Sequence, residues 1–235
     1  MKSTGEQVTD MAENSETIPV PTHHGFASIL ADDVIRAYAS LDQQKDAPNR
    51  RNVIRSVFVA IEGLVWTCRE HVRDTAASLD ELTPLANLAL REMTYTVTEQ
   101  GLLLEQVRFI TLPAMLRLVT RQAQSLATEL SVDFGGPGWA ALKTAMAIRN
   151  RVTHPKSLDD LTVTIHDLST VRTSFQWIAS TTTYIMEMMN ARLLQHNTDM
   201  AEIMKRLDAG DPVACALINT HCDRTKSRAR ISNSD

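Results

Sequence analysis

An arginine, an asparagine and a histidine fall close together in Arg149-Asn150-Arg151-Val152-Thr153-His154, followed at once by Pro155 and Lys156. These side chains suit cleavage of RNA by internal transesterification. That reaction needs a base for the 2′-hydroxyl proton, an acid for the leaving 5′-oxygen, and donors for the charge growing on the phosphorane. It requires no metal and no cofactor. A histidine can act as base or as acid, and an arginine offers a planar, permanently charged donor fork to phosphate oxygens. His154 and Arg149 meet those needs, Asn150 can fix the ring or the phosphate, and Arg151 with Lys156 adds positive potential. One imidazole cannot conveniently serve as both base and acid. Two copies related by a twofold axis would supply both, so the chemistry predicts a homodimer with the motifs facing each other.

A purely structural role fits the same residues. A histidine at a helix C-terminus is commonly a partner of the helix dipole, and Arg149 can pair with Glu62 or cover core with its stem. Spacing alone leaves both roles open.

The element that carries the motif is a helix beginning near Trp139. Its apolar side holds Ala141, Ala145, Ile148 and Val152, with Arg149 at one border and Asn150 and His154 on the opposite face. Pro155 disfavours helical dihedrals at His154, so the helix should end there. The ring is then exposed beside unpaired carbonyls, at the end of the dipole that favours positive charge.

A longer helix is expected from about Asn49 to Arg73. Ile54, Val57, Phe58, Ile61, Leu64, Val65, Cys68 and Val72 share one side of it and predict core. Arg51, Arg55, Glu62, Arg69 and Arg73 line an adjoining strip, within about 40° of one another. That strip is either a solvated boundary with weak ion pairs or the place where Glu62 meets another helix and orients a cation.

The rest of the chain supplies scaffold. In 235 residues, 43% hydrophobic and 22% charged, there is room for a real core, and few aromatics, glycines or prolines favour helices over a strand-rich fold. A formal net charge of -4 argues against a protein that coats nucleic acid nonspecifically, and leaves a local basic site open. Cys68, Cys215 and Cys222 contain no C-x-x-C, so neither a disulfide framework nor a cysteine-rich zinc site is indicated. The scattered histidines, His23-His24, His166, His196 and His221 among them, nominate no metal site. No apolar h-region or membrane span is evident, and a reducing cytoplasm is the expected compartment.

Residues 1–25 read as a flexible polar arm, 26–222 as the helical domain, and 223–235 as a basic disordered tail. Helices are expected from Phe26 to about Leu41, over 80–92 with Asp80 or Ser78 as cap, and from Pro113 to about Leu130. Thr94 to Thr98, a turn near Gly101, and Leu102 to Leu104 suggest a small β-hairpin or irregular insertion. Asp133-Phe134-Gly135-Gly136-Pro137-Gly138 breaks the chain; it lacks the Lys-Ser/Thr of a phosphate-binding loop. Thr164 to Asp167 has capping-box spacing and should start a helix long enough to reach past one bundle toward a dimer partner. Shorter helices near Asp199 to Leu207 and after Pro212 complete an all-α, up-and-down bundle with additional C-terminal helices.

Ala147-Ile148-Arg149-Asn150-Arg151-Val152-Thr153-His154-Pro155-Lys156-Ser157 resembles the R-x4-6-H signature of HEPN-domain proteins, including the polar residue directly after the arginine. The apolar helix around Arg55, Phe58, Ile61 and Glu62 extends the likeness, since such domains often carry an acidic residue on an earlier helix facing the motif. The resemblance covers roughly residues 50–190. It implies a helical bundle, dimerisation that assembles a composite site, and often metal-independent endoribonuclease activity in toxin, defence or RNA-processing systems. Carried onto this chain, it makes Arg149 and His154 the catalytic pair, with Asn150 as the polar motif residue and Glu62 as the acidic partner. Arg151, Lys156, Arg55 and Arg69 are the expected RNA contacts, and an antitoxin or other regulatory protein is an expected partner. The family also has non-nucleolytic members, so a binding module for RNA or a protein stands as the alternative.

Overall fold

The central helix begins at a carboxylate. Asp46 accepts a hydrogen bond from the Asn49 N–H at 2.9 Å, and Pro48 occupies the first turn, where a missing N–H costs nothing. The computed structural model describes residues 23–213 and 215–216, and in it this helix, α2, runs Ala47–Ser78. It is longer at both ends than the apolar pattern suggests. Replacing Asp46 with alanine removes the cap and is expected to cost about 1 kcal/mol, read as a lower urea midpoint at unchanged m-value.

Helix α1, His23–Gln43, precedes it across a short polar connection and packs along it. It starts at His23 rather than Phe26. The remainder of the expected arm, His221-Cys222 and the basic tail lie outside the described residues. Every residue of the apolar set expected on α2 is buried except Leu64, which is half-buried. Burial pushes the Cys68 thiol up to about 12, so it acts as a small core side chain.

The expected helix over 80–92 divides differently. Asp80 adopts a left-handed backbone, φ 54°, that turns the chain after α2, and Thr83 caps the short α3, Pro84–Leu90. The hairpin follows as expected: β1, Met93–Val97, pairs antiparallel with β2, Leu103–Val107, with Met93 opposite Val107 and Val97 opposite Leu103. Gly101, φ 78°, closes the turn, a conformation that glycine adopts without strain.

Helix α4, Leu112–Leu126, stops short of Leu130, though Leu130 is itself buried. Helix α5, Pro137–Thr153, leaves the glycine loop with proline in its first turn. A 3-10 turn, Asp159–Leu161, leads into α6, Ile165–Asp208, whose capping box joins Thr164 and Asp167. The expected break before Asp199 is absent, because no glycine or proline interrupts 165–209 and Gln195 donates to Asp199 one turn on, at 2.7 Å. The last buried residue of α6 is Met189, and Leu193 still packs on the core; the C-terminal third of the helix carries exposed Leu194, Met200 and Met204.

The architecture is an all-α bundle with a small hairpin insertion. Helix α2 packs against α1, α4, α5 and α6, and α6 also lies along α5. Leu116, Leu142, Ile178 and Ile185 meet the α2 apolar face in one continuous core. Among the described residues, no helix is long and apolar enough to cross a membrane.

Candidate functional site

Helix α5 buries Trp139, Leu142, Ala145, Ile148 and Val152, which sets the direction of every other side chain on it. Arg149 leaves the border of that buried face toward α2. Its guanidinium lies over the Phe58 ring, 5.6 Å from the centroid, and donates to the Glu62 carboxylate and, at 3.2 Å, to Oδ1 of Asn150. Glu62, Arg149 and Asn150 therefore form one polar cluster at the α2–α5 boundary. Arg149 and Glu62 side chains remain 32% and 48% exposed. A pair that wet contributes only on the order of 0.2–1 kcal/mol to stability, so its main consequence is to orient the guanidinium.

His154 caps the same helix, its backbone N–H donating to the Asn150 carbonyl at 2.9 Å. Its side chain is exposed, and among the described residues the ring meets no hydrogen-bond partner. Arg149 and Asn150 line a cavity next to α2 whose wall also includes Glu62; His154 is outside that wall. Within one chain, then, Glu62, Arg149 and Asn150 come together and His154 stands apart at the helix end.

The loop after His154 is held by arginines. Arg151 donates to the carbonyls of Asp160 (3.1 Å) and Thr162 (2.5 Å) and to the Asp167 carboxylate at 2.7 Å. Arg50 and Arg51 reach the carbonyls of Val163 and Leu161 from α2. Asp160 in turn accepts from the N–H groups of Lys156 and Ser157. The expected RNA contact Arg151 is thus engaged within the fold, tying the motif helix to the start of α6. Lys156 and Arg55 are exposed, Arg55 on the α1 side of α2 beside Asp33 and Arg36.

Burial works against the Asp167 carboxylate, yet the Thr164 N–H and hydroxyl and the Arg151 guanidinium together hold its pKa below the ordinary 3.8. The Lys156 N–H, with Ser157 and Arg151, holds Asp160 below the same value against some loss of hydration. A carboxyl depressed in the folded state stabilises the fold above its unfolded value, and that contribution is lost as pH falls through the folded value. Asp167→Asn should therefore lower the urea midpoint at pH 7. It should also flatten the fall of that midpoint as the pH drops below about 4.

Arg69 is engaged as well. It donates to Glu70 at 3.1 Å and to Glu92 at 3.0 Å. Glu92, at φ 55°, also accepts from the Ile110 N–H through its side chain and from the Arg108 N–H through its carbonyl. One residue thus pins both ends of the hairpin to α2.

Comparison with protein-family models, curated proteins and solved structures finds no match for this chain. Among the described residues, no group of three or more His, Cys, Asp or Glu side chains comes together to hold a metal ion.

Sequence reasoning missed two features. One is the arginine clamp on 160–167, foreshadowed only by a run of acidic residues after a basic motif. The other is the cavity of about 890 Å³ beside Arg149, walled by Phe58 and Trp66 of α2, Phe109 after the hairpin and Met146 of α5. Its residues are scattered over several elements, so no local pattern announces it.

Proposed function

We propose that this chain is a HEPN-like endoribonuclease that cleaves RNA by attack of the 2′-hydroxyl, at a site completed by a second copy. The observation that carries the reading is the meeting of Glu62 and Arg149 across two helices, one helix end from an exposed His154. Glu62 aims the Arg149 fork, and the fork stabilises negative charge on the phosphorane oxygens. An imidazole takes the 2′-hydroxyl proton as O2′ bonds to phosphorus, and the P–O5′ bond breaks as the departing oxygen receives a proton from an acid. The products are a 2′,3′-cyclic phosphate and a 5′-hydroxyl. One His154 from each copy, brought together across a twofold axis, supplies base and acid.

The test is incubation of the purified protein with mixed RNAs in EDTA, with end-group analysis of the fragments. Cyclic phosphate ends support the reading, and intact RNA across all substrates removes it.

A non-catalytic binding module for RNA or for a regulatory partner such as an antitoxin is the second reading. The exposed apolar hairpin favours it, with Leu103 at 70% and Val107 at 79% exposure, and Phe109 just after it at 86%. Tight, stoichiometric retention of a partner by a protein that cuts no RNA would decide for it.

A further inference from the structure

The cavity beside Arg149 has a chemistry that the motif does not explain. Its volume, about 890 Å³, lies in the range of small-molecule sites, and its walls are mainly aromatic and aliphatic. Phe26 and Trp66 meet edge to face there, ring centroids 5.6 Å apart, and Phe58, Phe109 and Met146 supply further apolar surface. The charged groups on the wall are already paired: Arg69 with Glu92, Arg149 with Glu62. An occupant that brought its own net charge inside would face a carboxylate as near as a guanidinium. The complementary occupant is neutral and flat.

At the Arg149 end the wall also offers hydrogen bonds. Glu62 meets the guanidinium through Oε1, which leaves Oε2 as an acceptor. Asn150 accepts from Arg149 through Oδ1, which leaves its amide as a donor. Acceptor and donor flank one guanidinium. Either group can meet one polar atom on the edge of an unpaired base, whose π-face stacks on aromatic side chains.

We infer that this cavity is a nucleobase site, occupied by a base swung out of an RNA strand whose phosphate lies at Arg149, or by the base of a free nucleoside. The inference rests on the proposed nuclease reading for the strand source only; the shared base chemistry stands on the cavity. It makes the cavity the place where a nucleotide preference is set.

The probes are 2-aminopurine riboside and a 2′-O-methyl RNA hexamer carrying one 2-aminopurine at each position in turn, which cannot be cleaved. Stacking quenches this base. For a strand, quenching concentrates at one position; for a free nucleoside, the riboside alone is quenched and the hexamer is not. In either case Phe109→Ala, at an exposed position, and Met146→Trp, which fills the cavity, weaken binding of the quenched probe by about tenfold. Circular dichroism of both variants verifies that they fold. Quenching equal at every position and unaffected by both variants overturns the site, as does no quenching of either probe.

Cleavage of unmodified RNA, measured in parallel, separates the two ideas. Cutting that is indifferent to Phe109→Ala and Met146→Trp removes the RNA strand as the source of the base and leaves the nuclease. Base binding without cutting removes the nuclease and leaves the site.

Discussion

Arg149→Ala and His154→Ala are each expected to lower RNA cleavage in EDTA by at least about 100-fold, the usual scale for losing a transition-state donor or a proton-transfer group. The structure makes this a clean test of chemistry. Arg149 is only half-buried and its partner Glu62 more exposed still, so losing the pair should change stability by less than about 1 kcal/mol. The His154 ring is exposed, and its removal leaves the helix-ending backbone bond from its N–H in place. Both proteins should melt close to wild type and keep the same oligomeric state. Arg149→Lys sharpens the assignment: it keeps the charge and loses the planar fork, so most of the activity should stay lost. Unchanged cutting by the alanine variants would end the assignment of these two residues, whatever the fold.

The second large effect is on stability, at Gly138 in the first turn of α5. A Cβ there would lie 2.2 Å from Cγ and Cδ1 of Trp177 and 2.7 Å from its Cβ. Cβ and Cγ lie on the axis about which the ring turns, so turning the ring does not clear them. The indole is also held by neighbours: Trp139 and Phe134 meet it edge to face at 5.8 and 6.2 Å, and Arg117 lies over both of those rings. Gly138→Ala is therefore expected to destabilise by about 2 kcal/mol, within the range for overpacking a filled contact. Gly63→Ala makes the control. Its Cβ meets the terminal Cδ1 of Leu30 at 2.2 Å, a flexible end that can turn away, and mid-helix alanine gains up to about 1 kcal/mol over glycine. Urea unfolding should show a clear loss for the first and a change within about 1 kcal/mol for the second. A Gly138→Ala protein as stable as wild type would mean that α5 and α6 pack less closely at this crossing.

Both predictions depend on how far one-dimensional pattern carries into three dimensions. The periodicity of Ile54, Val57, Phe58, Ile61, Val65, Cys68 and Val72 was sufficient to name the buried face of α2, because removing an apolar stripe from water contributes most to how a helix is oriented on its neighbours. The same logic failed at helix ends. Asp80, expected as a cap, sits in a left-handed turn, and α6 runs through the expected break, because end points follow from local backbone conformation and packing more than from period.

The candidate site divides along the same line. Arg149 and Glu62 were legible as borders of two apolar stripes, and borders of packed helices meet. Arg151 was legible only as a charge. Arg151 faces carbonyls and a carboxylate 9 to 16 residues on, and Arg69 reaches Glu92 as well as its neighbour Glu70; nothing short of the loop path from 155 to 164 and the hairpin return at Glu92 makes these fold contacts.

By itself the sequence determined an all-α bundle, the place where the motif helix ends, and the residue types collected there, because helical period and proline stereochemistry act locally. The tertiary structure alone decided which cations are bound within the fold, that His154 stands outside the wall shared by Arg149 and Asn150, and that an aromatic cavity opens beside them. Those outcomes depend on side chains from separate helices arriving at one point, and that arrival is set by packing across the whole core.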